Sequence, residues 1–576
     1  MASSRLPLLA LFLAAGCLLA GPAAAAPPPT AHALSAAASV LQGPVAAAPE
    51  RPAVVWQTMD GLRGAVQADL DASPDAGGCL PVVVSARRSV VAGDIAHYVL
   101  LVRTGPAEHD LIRVHRVVKE TRCGLPIRTP LNVFLQHGDA KDFTGMFLPG
   151  LYSPTTPDDF GFAVFAARRG VDVWGIDQAW NVMPQDLEDY GFVQDWGMAR
   201  QVRDLGIAMR VARLGRLATG SGGGPMILSG YSSGVFTTVA FLDAETRLPR
   251  PLRNACGWIP VDLAFKTDDP QLLAFLELDL AWYRDAYASG MYAYYVPFRL
   301  LSELTRCCPA DDSPVFPGFT NEQAALYFSS GVLIPPVFHY WAGGFDTDGM
   351  PTGLTLVDRE LWLDFLGSAP LYEPLNFMME CDELWLGRDS PHDDHLGEIT
   401  VPVFNVSPLG GFGELTRYGI GLLGSSDVEH LFPSIGTAPE LDMGHIDIWT
   451  WAGAAERMWL PMVDWIGRHC AAPRPGRQSV PLADGTPADG PAPAIETVAP
   501  NPSPGAFRVS LGLAGPEPVR LEVVDVAGRT VWSRDVAGSG RHQVEVGGGQ
   551  PLAPGVYLLR AAQGAVVSTR RVAVVR

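Results

Sequence analysis

The stretch Pro225-Met226-Ile227-Leu228-Ser229-Gly230-Tyr231-Ser232-Ser233-Gly234, running into the apolar residues Val235 to Leu242, constrains this chain more than any other. A short buried strand enters a Gly-x-Ser-x-Gly turn and leaves as a helix. Small residues at Gly230 and Gly234 let Ser232 occupy a strained turn that projects its hydroxyl from the end of the strand. A serine held this way is a candidate nucleophile, and it needs an imidazole to take its proton and N–H donors to hold an oxyanion.

The flanking pattern supplies the sheet. Asn132-Val133-Phe134-Leu135 and Val171 to Ile176 are apolar runs, and between Asn132 and Ala212 strands alternate with helices, which predicts a parallel sheet. Val82-Val83-Val84, Tyr98 to Val102 and Leu111 to Val118 read as opening strands. Trp196, Ala199, Val202, Leu205, Met209 and Ala212 recur at steps of three and four behind Asp195, which reads as an N-cap. A strand is expected over Trp258 to Phe265, then an aromatic-rich block, then sheet periodicity again at Ile399 to Val406. The block, about 267–395, is expected to be a mainly helical cap.

Candidate chemistry follows that order. Asp442-Met443-Gly444-His445-Ile446-Asp447 lies ahead of a closing helix at about 454–466, which makes His445 the expected general base. Ser233 at the turn, and Asp139 in Gln136-His137-Gly138-Asp139, are the expected oxyanion donors through their backbone N–H groups. The Asp139 carboxyl is expected to face away, since its charge would repel an oxyanion. The third member of a triad should follow Val406, but Ser407-Pro408-Leu409-Gly410-Gly411-Phe412-Gly413-Glu414 offers no Asp there. Asp427 is therefore the expected acid, with Glu414 as the alternative.

Export is read at the other end. One Arg, the apolar run Leu6 to Leu19 and small residues through Ala33 read as a signal peptide over 1–33. Gly16-Cys17 leaves a lipoprotein reading open, against which Leu18-Leu19 continue the apolar run. Residues 34–79 form an Ala- and Pro-rich lead-in, and a Pro-rich linker spans 471–494. Short strand-like runs separated by Gly and Pro fill 495–576 and predict a small all-β sandwich. Forty-two basic and sixty-one acidic residues among 576 give a net charge of −19, which argues against nucleic acid as a partner. No later run reads as a transmembrane helix, and the scattered cysteines have no metal-ligand spacing.

Val133 to Gly138, Val171 to Asp177, Gly230 to Gly234 and Gly444 to Asp447 together resemble the acid lipase branch of the α/β-hydrolases, over about 80–470. That resemblance implies a Ser-acid-His triad, a capped pocket and hydrolysis of carboxylic esters without a cofactor or metal. Asp139 departs from the family, which usually has an apolar residue there, and so does the Gly-rich loop after Val406. A peptidase, a polyester depolymerase and a noncatalytic surface-binding protein on the same scaffold are the alternatives. Pro500-Asn501-Pro502, Asp525-Val526-Ala527-Gly528-Arg529 and Pro554-Gly555-Val556-Tyr557 resemble the C-terminal sorting domain of type IX secretion cargo and related FlgD-like immunoglobulin modules. This second resemblance implies the secretion machinery as a partner and a secreted or cell-surface location.

Overall fold

The computed structural model describes residues 82–469 except 371, and 494–574 except 502, 514–516, 526–529, 550, 554 and 564–565. The expected signal peptide and lead-in lie outside the described residues, as does the linker except for Ala494, which opens a strand. The chain divides into two compact units between Ala472 and Pro473.

In the first unit β1 (Val82–Ala92), β2 (Ile95–Arg103) and β3 (Leu111–Arg122) form an antiparallel meander. β4 (Asn132–Gln136), β5 (Asp172–Asp177), β6 (Met226–Tyr231) and β7 (Ala255–Val261) follow. After them come the short β8 (Ala293–Tyr295) and β9 (Tyr372–Pro374), which pair with each other inside an insertion, and then β10 (Val403–Val406) and β11 (Val428–Leu431). The main sheet runs β1-β2-β3-β5-β4-β6-β7-β10-β11 and is parallel from β5 to β11. This is the mixed sheet of an α/β-hydrolase fold.

Every residue of β4, β5 and β6 is buried, because helices cover both faces of the sheet. The α-helices of seven residues or more are α1 (Phe162–Arg168), α2 (Met198–Ala218), α3 (Gly234–Thr246), α4 (Pro270–Ala288), α5 (Phe298–Cys307), α6 (Asn321–Ser330), α7 (Arg359–Gly367), α8 (Leu375–Trp385) and α9 (Leu460–Arg468). Phe134 and Leu228 point to the core that holds α2 and α3, whereas Val133, Leu135 and Ile227 point to the core that holds α1 and α9. The period-2 alternation of the strands separates these two cores.

Two of the boundaries that differ from the sequence expectation bear on the site and its cap. α2 starts at Met198 with Gly197 as its N-cap, so Asp195 does not cap it; the Glu380 side chain of α8 accepts the Met198 N–H instead. The strand expected over Trp258 to Phe265 stops at Val261, because Asp262 turns into the left-handed region at φ 52°. The insertion between β7 and β10 carries α4 to α8. It opens at Asp269, whose carboxylate accepts the Gln271 and Leu272 N–H groups at 2.9 Å each, with Pro270 at the first helical position.

The second unit is a β-sandwich. Its strands are β12 (Ala494–Ala499), β13 (Phe507–Leu513), β14 (Val519–Asp525), β15 (Thr530–Val536), β16 (Gly540–Val546), β17 (Gly555–Gln563) and β18 (Val566–Val574). They form a three-stranded sheet, β12-β13-β16, and a four-stranded sheet, β15-β14-β17-β18. Phe507, Val509, Leu511 and Val546 from the first meet Val519, Leu521, Val523 and Leu559 from the second in one core. Among the described residues no helix is long and apolar enough to cross a membrane. Cys256 is disulfide-bonded, while Cys123, Cys307, Cys308 and Cys381 are free thiols.

A buried ion cluster ties the antiparallel meander to the parallel half of the sheet. Arg116 on β3 makes a bidentate pair with Asp172 on β5 at 2.8 and 2.9 Å, and Arg216 on α2 reaches the same carboxylate at 2.9 Å. All three are at most 2% exposed. Removing the shared anion leaves two guanidinium groups without their charge partner in a dry site, at a cost of about 3–5 kcal/mol. Asp172→Asn is thus expected to lower the unfolding free energy of the larger unit by that amount in urea titrations followed by tryptophan fluorescence. Arg468→Gln, which breaks an exposed pair with Glu429, is expected to cost less than about 1 kcal/mol.

Candidate functional site

Strand register sets the geometry. Tyr231 lies opposite Val261, and Val261 lies opposite Val406, so β6, β7 and β10 end at one level on the carboxyl edge of the sheet. The residues that follow the first two of those ends are Ser232 and Asp262. Ser232 N–H donates to Val261 O at 3.0 Å, and Asp262 N–H donates to Val406 O at 2.8 Å. Both residues then leave their strands in the left-handed region, at φ 53° and 52°. For a non-glycine residue that conformation costs about 1–3 kcal/mol.

Glycine makes the serine turn possible. A Cβ on Gly230 would stand 2.4 Å from Gly234 O, one on Gly234 would stand 2.4 Å from His137 O, and one on Gly138 would stand 2.5 Å from Ser232 Cβ. No side chain fits at any of these approaches. They bring the end of β4 and its following loop directly against the turn.

His445 arrives from the segment between β11 and α9 and is 3% exposed. Its N–H donates to His339 O at 2.9 Å, and Tyr231 both donates its hydroxyl to His445 O at 3.1 Å and stacks its ring on the imidazole at 4.6 Å. Asp447 steadies the same segment by accepting Gly444 N–H at 2.8 Å and Ala342 N–H at 2.7 Å. Burial pushes the Asp447 carboxyl up to about 7, against the pull of those two N–H donors. His445 Nδ1 lies 2.6 Å from Asp262 Oδ2. That contact engages Nδ1 and leaves Nε2 as the other ring nitrogen, and His445 and Ser232 line the same cavity.

The acid expected from sequence is elsewhere. Asp427 has a side chain 56% exposed and pairs with His469 at 3.3 Å, and Glu414 has a side chain 66% exposed and pairs with Arg417 at 3.4 Å. Neither is hydrogen-bonded to His445. The carboxylate that touches the imidazole is that of Asp262, which is fully buried. Adjacent parallel strands explain the shift, because the end of β7 faces the same space as the end of β10. The Gly-rich loop after Val406 holds that carboxylate. Ser407 Oγ donates to Asp262 Oδ1 at 2.5 Å, Phe412 N–H donates to it at 2.9 Å, and a Cβ on Gly411 would fall 2.0 Å from Oδ2. The available signal was the parallel between Tyr231-Ser232 and Val261-Asp262, a polar residue ending a buried strand in each case. Extending the strand to Phe265 hid it.

Ser233 is buried and Asp139 is half-buried beside it, and neither of their backbone N–H groups is given to another acceptor among the described residues. The Asp139 carboxyl does not turn away as expected. It lines the cavity beside Ser232, its Oδ1 is buried without a hydrogen-bond partner, and burial pushes it up to about 6 although a side-chain hydrogen bond from Ser233 lowers it. A carboxyl in that state carries less charge near the turn than an ordinary aspartate. The cavity measures about 560 Å³, and Ser232, Ser233 and His445 share its wall with side chains of α4, α8, β9 and Phe412.

Residues 497–575 match the family described as the secretion system C-terminal sorting domain. Among curated proteins no match to the chain is found. Among solved structures the chain is similar to a provisionally described lipase of Sulfolobus solfataricus, at 16% identity and TM-score 0.46 over 67% of this chain and 98% of that one. It is also similar to a thermophilic esterase from Thermogutta terrifontis, at 14% identity and TM-score 0.32 over 64% of this chain and 98% of that one. An acetyl xylan esterase from Paenibacillus sp. R4 is similar at 10% identity and TM-score 0.31 over 73% of this chain and 96% of that one. On its own sheet topology and the match of its tail, the chain joins an α/β-hydrolase fold to a C-terminal secretion sorting domain.

Proposed function

We propose that the larger unit is a serine hydrolase that cleaves carboxylic esters, with Ser232 as nucleophile, His445 as general base and Asp262 as the acid that orients it. The observation that carries the reading is the 2.6 Å contact between His445 Nδ1 and Asp262 Oδ2 beside a serine in a left-handed strand-end turn. In the first step His445 Nε2 takes the Ser232 proton while Oγ attacks the ester carbonyl carbon. The Ser233 and Asp139 N–H groups receive the oxyanion. The proton then passes from His445 to the departing alkoxide, leaving an acyl-serine and an imidazole ready to activate water. Water adds by the same route in reverse and frees the acid.

Ester specificity is supported by the apolar character of the wall around Ser232, which suits an alkyl or aryl group. Export through the N-terminal leader, and delivery or surface attachment through the sorting domain at 497–575, complete the reading. A panel of p-nitrophenyl esters and peptide anilides is expected to show turnover of the esters alone; preferential cleavage of the anilides would make the protein a peptidase.

A fluorophosphonate probe is expected to label the protein once, at Ser232, with labelling lost in Ser232→Ala. Asp262→Asn is expected to lower kcat on a p-nitrophenyl ester by about 10⁴-fold, since the imidazole then loses the partner that fixes its tautomer. Asp427→Asn and Glu414→Gln are expected to retain wild-type turnover. A wild-type rate in Asp262→Asn would remove that residue from the mechanism.

A further inference from the structure

The cavity wall carries four carboxyls, three of them from the cap, that acyl transfer does not require. Asp139 lines it from the loop after β4, Asp279 from α4, Glu373 from β9 and Asp382 from α8. Glu373 and Asp382 are 1% and 5% exposed. Glu373 Oε1 accepts the Ala140 N–H, but its Oε2 and Oδ2 of Asp382 are buried with no hydrogen-bond partner, as is Oδ1 of Asp139. Unsatisfied buried acceptors are uncommon in folded proteins, and here three belong to residues that line one cavity.

Among the described residues no Lys or Arg side chain is hydrogen-bonded to these oxygens. Lys141 is the one Lys or Arg in the wall, and its Nζ donates to Phe365 O and Ser368 Oγ while lying 3.8 Å from the Phe365 ring centre. The carboxyls feel one another instead. Burial first, and then the neighbouring carboxylates, push Glu373 and Asp382 well above the ordinary range; burial also raises Asp279 to about 7, against a hydrogen bond from Tyr283. Trp282, Tyr283, Tyr294 and Trp385 stand in the same wall. Carboxyl oxygens lacking donors, set among electron-rich aromatic rings, favour an organic cation over a neutral group of equal size.

We propose that the cap end of this cavity is a binding subsite for an organic ammonium group, so that the ester substrate carries its cation on the part remote from the carbonyl. The ester half of this statement rests on the hydrolase reading above; the subsite itself does not. When the ammonium enters, the carboxyls ionise and the rings of Trp282 and Trp385 cover its alkyl groups. Empty, the same carboxyls hold their protons, which limits repulsion within the cluster.

The test separates the two readings. Choline and its neutral carbon isostere, 3,3-dimethylbutan-1-ol, are titrated calorimetrically into the full chain at pH 8, and the ratio of kcat/KM for butyrylcholine and 3,3-dimethylbutyl butyrate is measured in parallel. Choline is expected to bind about tenfold or more tightly than the alcohol, with the same preference in kcat/KM. Asp382→Asn, and independently the more exposed Asp279→Asn, are expected to lower both ratios, with circular dichroism reporting that each variant is folded. Equal binding of the two probes, or a preference for the alcohol, overturns the subsite whatever the esterase activity. Choline binding without turnover of any ester supports the subsite and counts against the hydrolase reading. A preference for acetylated sugars over butyrylcholine would assign the carboxyls to hydroxyl recognition and overturn the proposal.

Discussion

The pairing of Ser232 N–H with Val261 O, and of Asp262 N–H with Val406 O, is the constraint on which the site depends. Each is the last ladder bond of a parallel strand, and each fixes the residue at which the next φ turns positive. Two neighbouring strands therefore end in the same way at the same level. One presents a hydroxyl and the other a carboxylate, with room between for an imidazole from a third segment. A slip of one residue in the register between β6 and β7 would turn one of these side chains to the opposite face of the sheet. The buried Arg116–Asp172–Arg216 cluster helps hold the neighbouring strands in place, so sheet integrity and site geometry share a cause.

Strain at the two turns persists because the surroundings leave no alternative. Gly138, Gly230 and Gly234 admit backbone where any Cβ would collide, and Gly411 does the same above the Asp262 carboxylate. The Gly-rich loop after β10 is thus a lid on the acid. Its amide and the Ser407 hydroxyl satisfy Oδ1, which leaves Oδ2 to the imidazole. A carboxylate with both oxygens engaged cannot swing away, and the ring it holds presents one nitrogen to the cavity.

Much of the fold was legible because its signals are local. A buried strand, a Gly-x-Ser-x-Gly turn and an apolar helix are contiguous, and Gly444-His445 stands just ahead of the closing helical segment. The alternation of β13 and the turn residues around it likewise announce a sandwich. What failed was spatial. Asp262 and His445 are 183 positions apart, and whether the acid ends β7 or β10 depends on sheet order, which one sequence does not record. Asp195 failed for a similar reason, since the partner of the first α2 amide comes from Glu380, far along the chain. Asp139 was expected to turn outward on an argument about full charge, and the burial that weakens this charge has no signature in the local sequence.

The carboxyls of the cavity wall belong to the same class of nonlocal feature. Asp139, Asp279, Glu373 and Asp382 sit on four elements with no shared motif, and only closure of the insertion over the sheet edge gathers them. Their burial weakens the fold, because an acceptor without a donor forfeits about 1–3 kcal/mol on leaving water. Leucine or methionine at Glu373 or Asp382 would fill an apolar wall at no such cost. A cavity built only for stability, or only to hold an acyl chain, has no use for them. The wall near Ser232 and the wall under the cap therefore differ in kind: strained backbone turns shape the first, and carboxyls held at a cost to stability line the second.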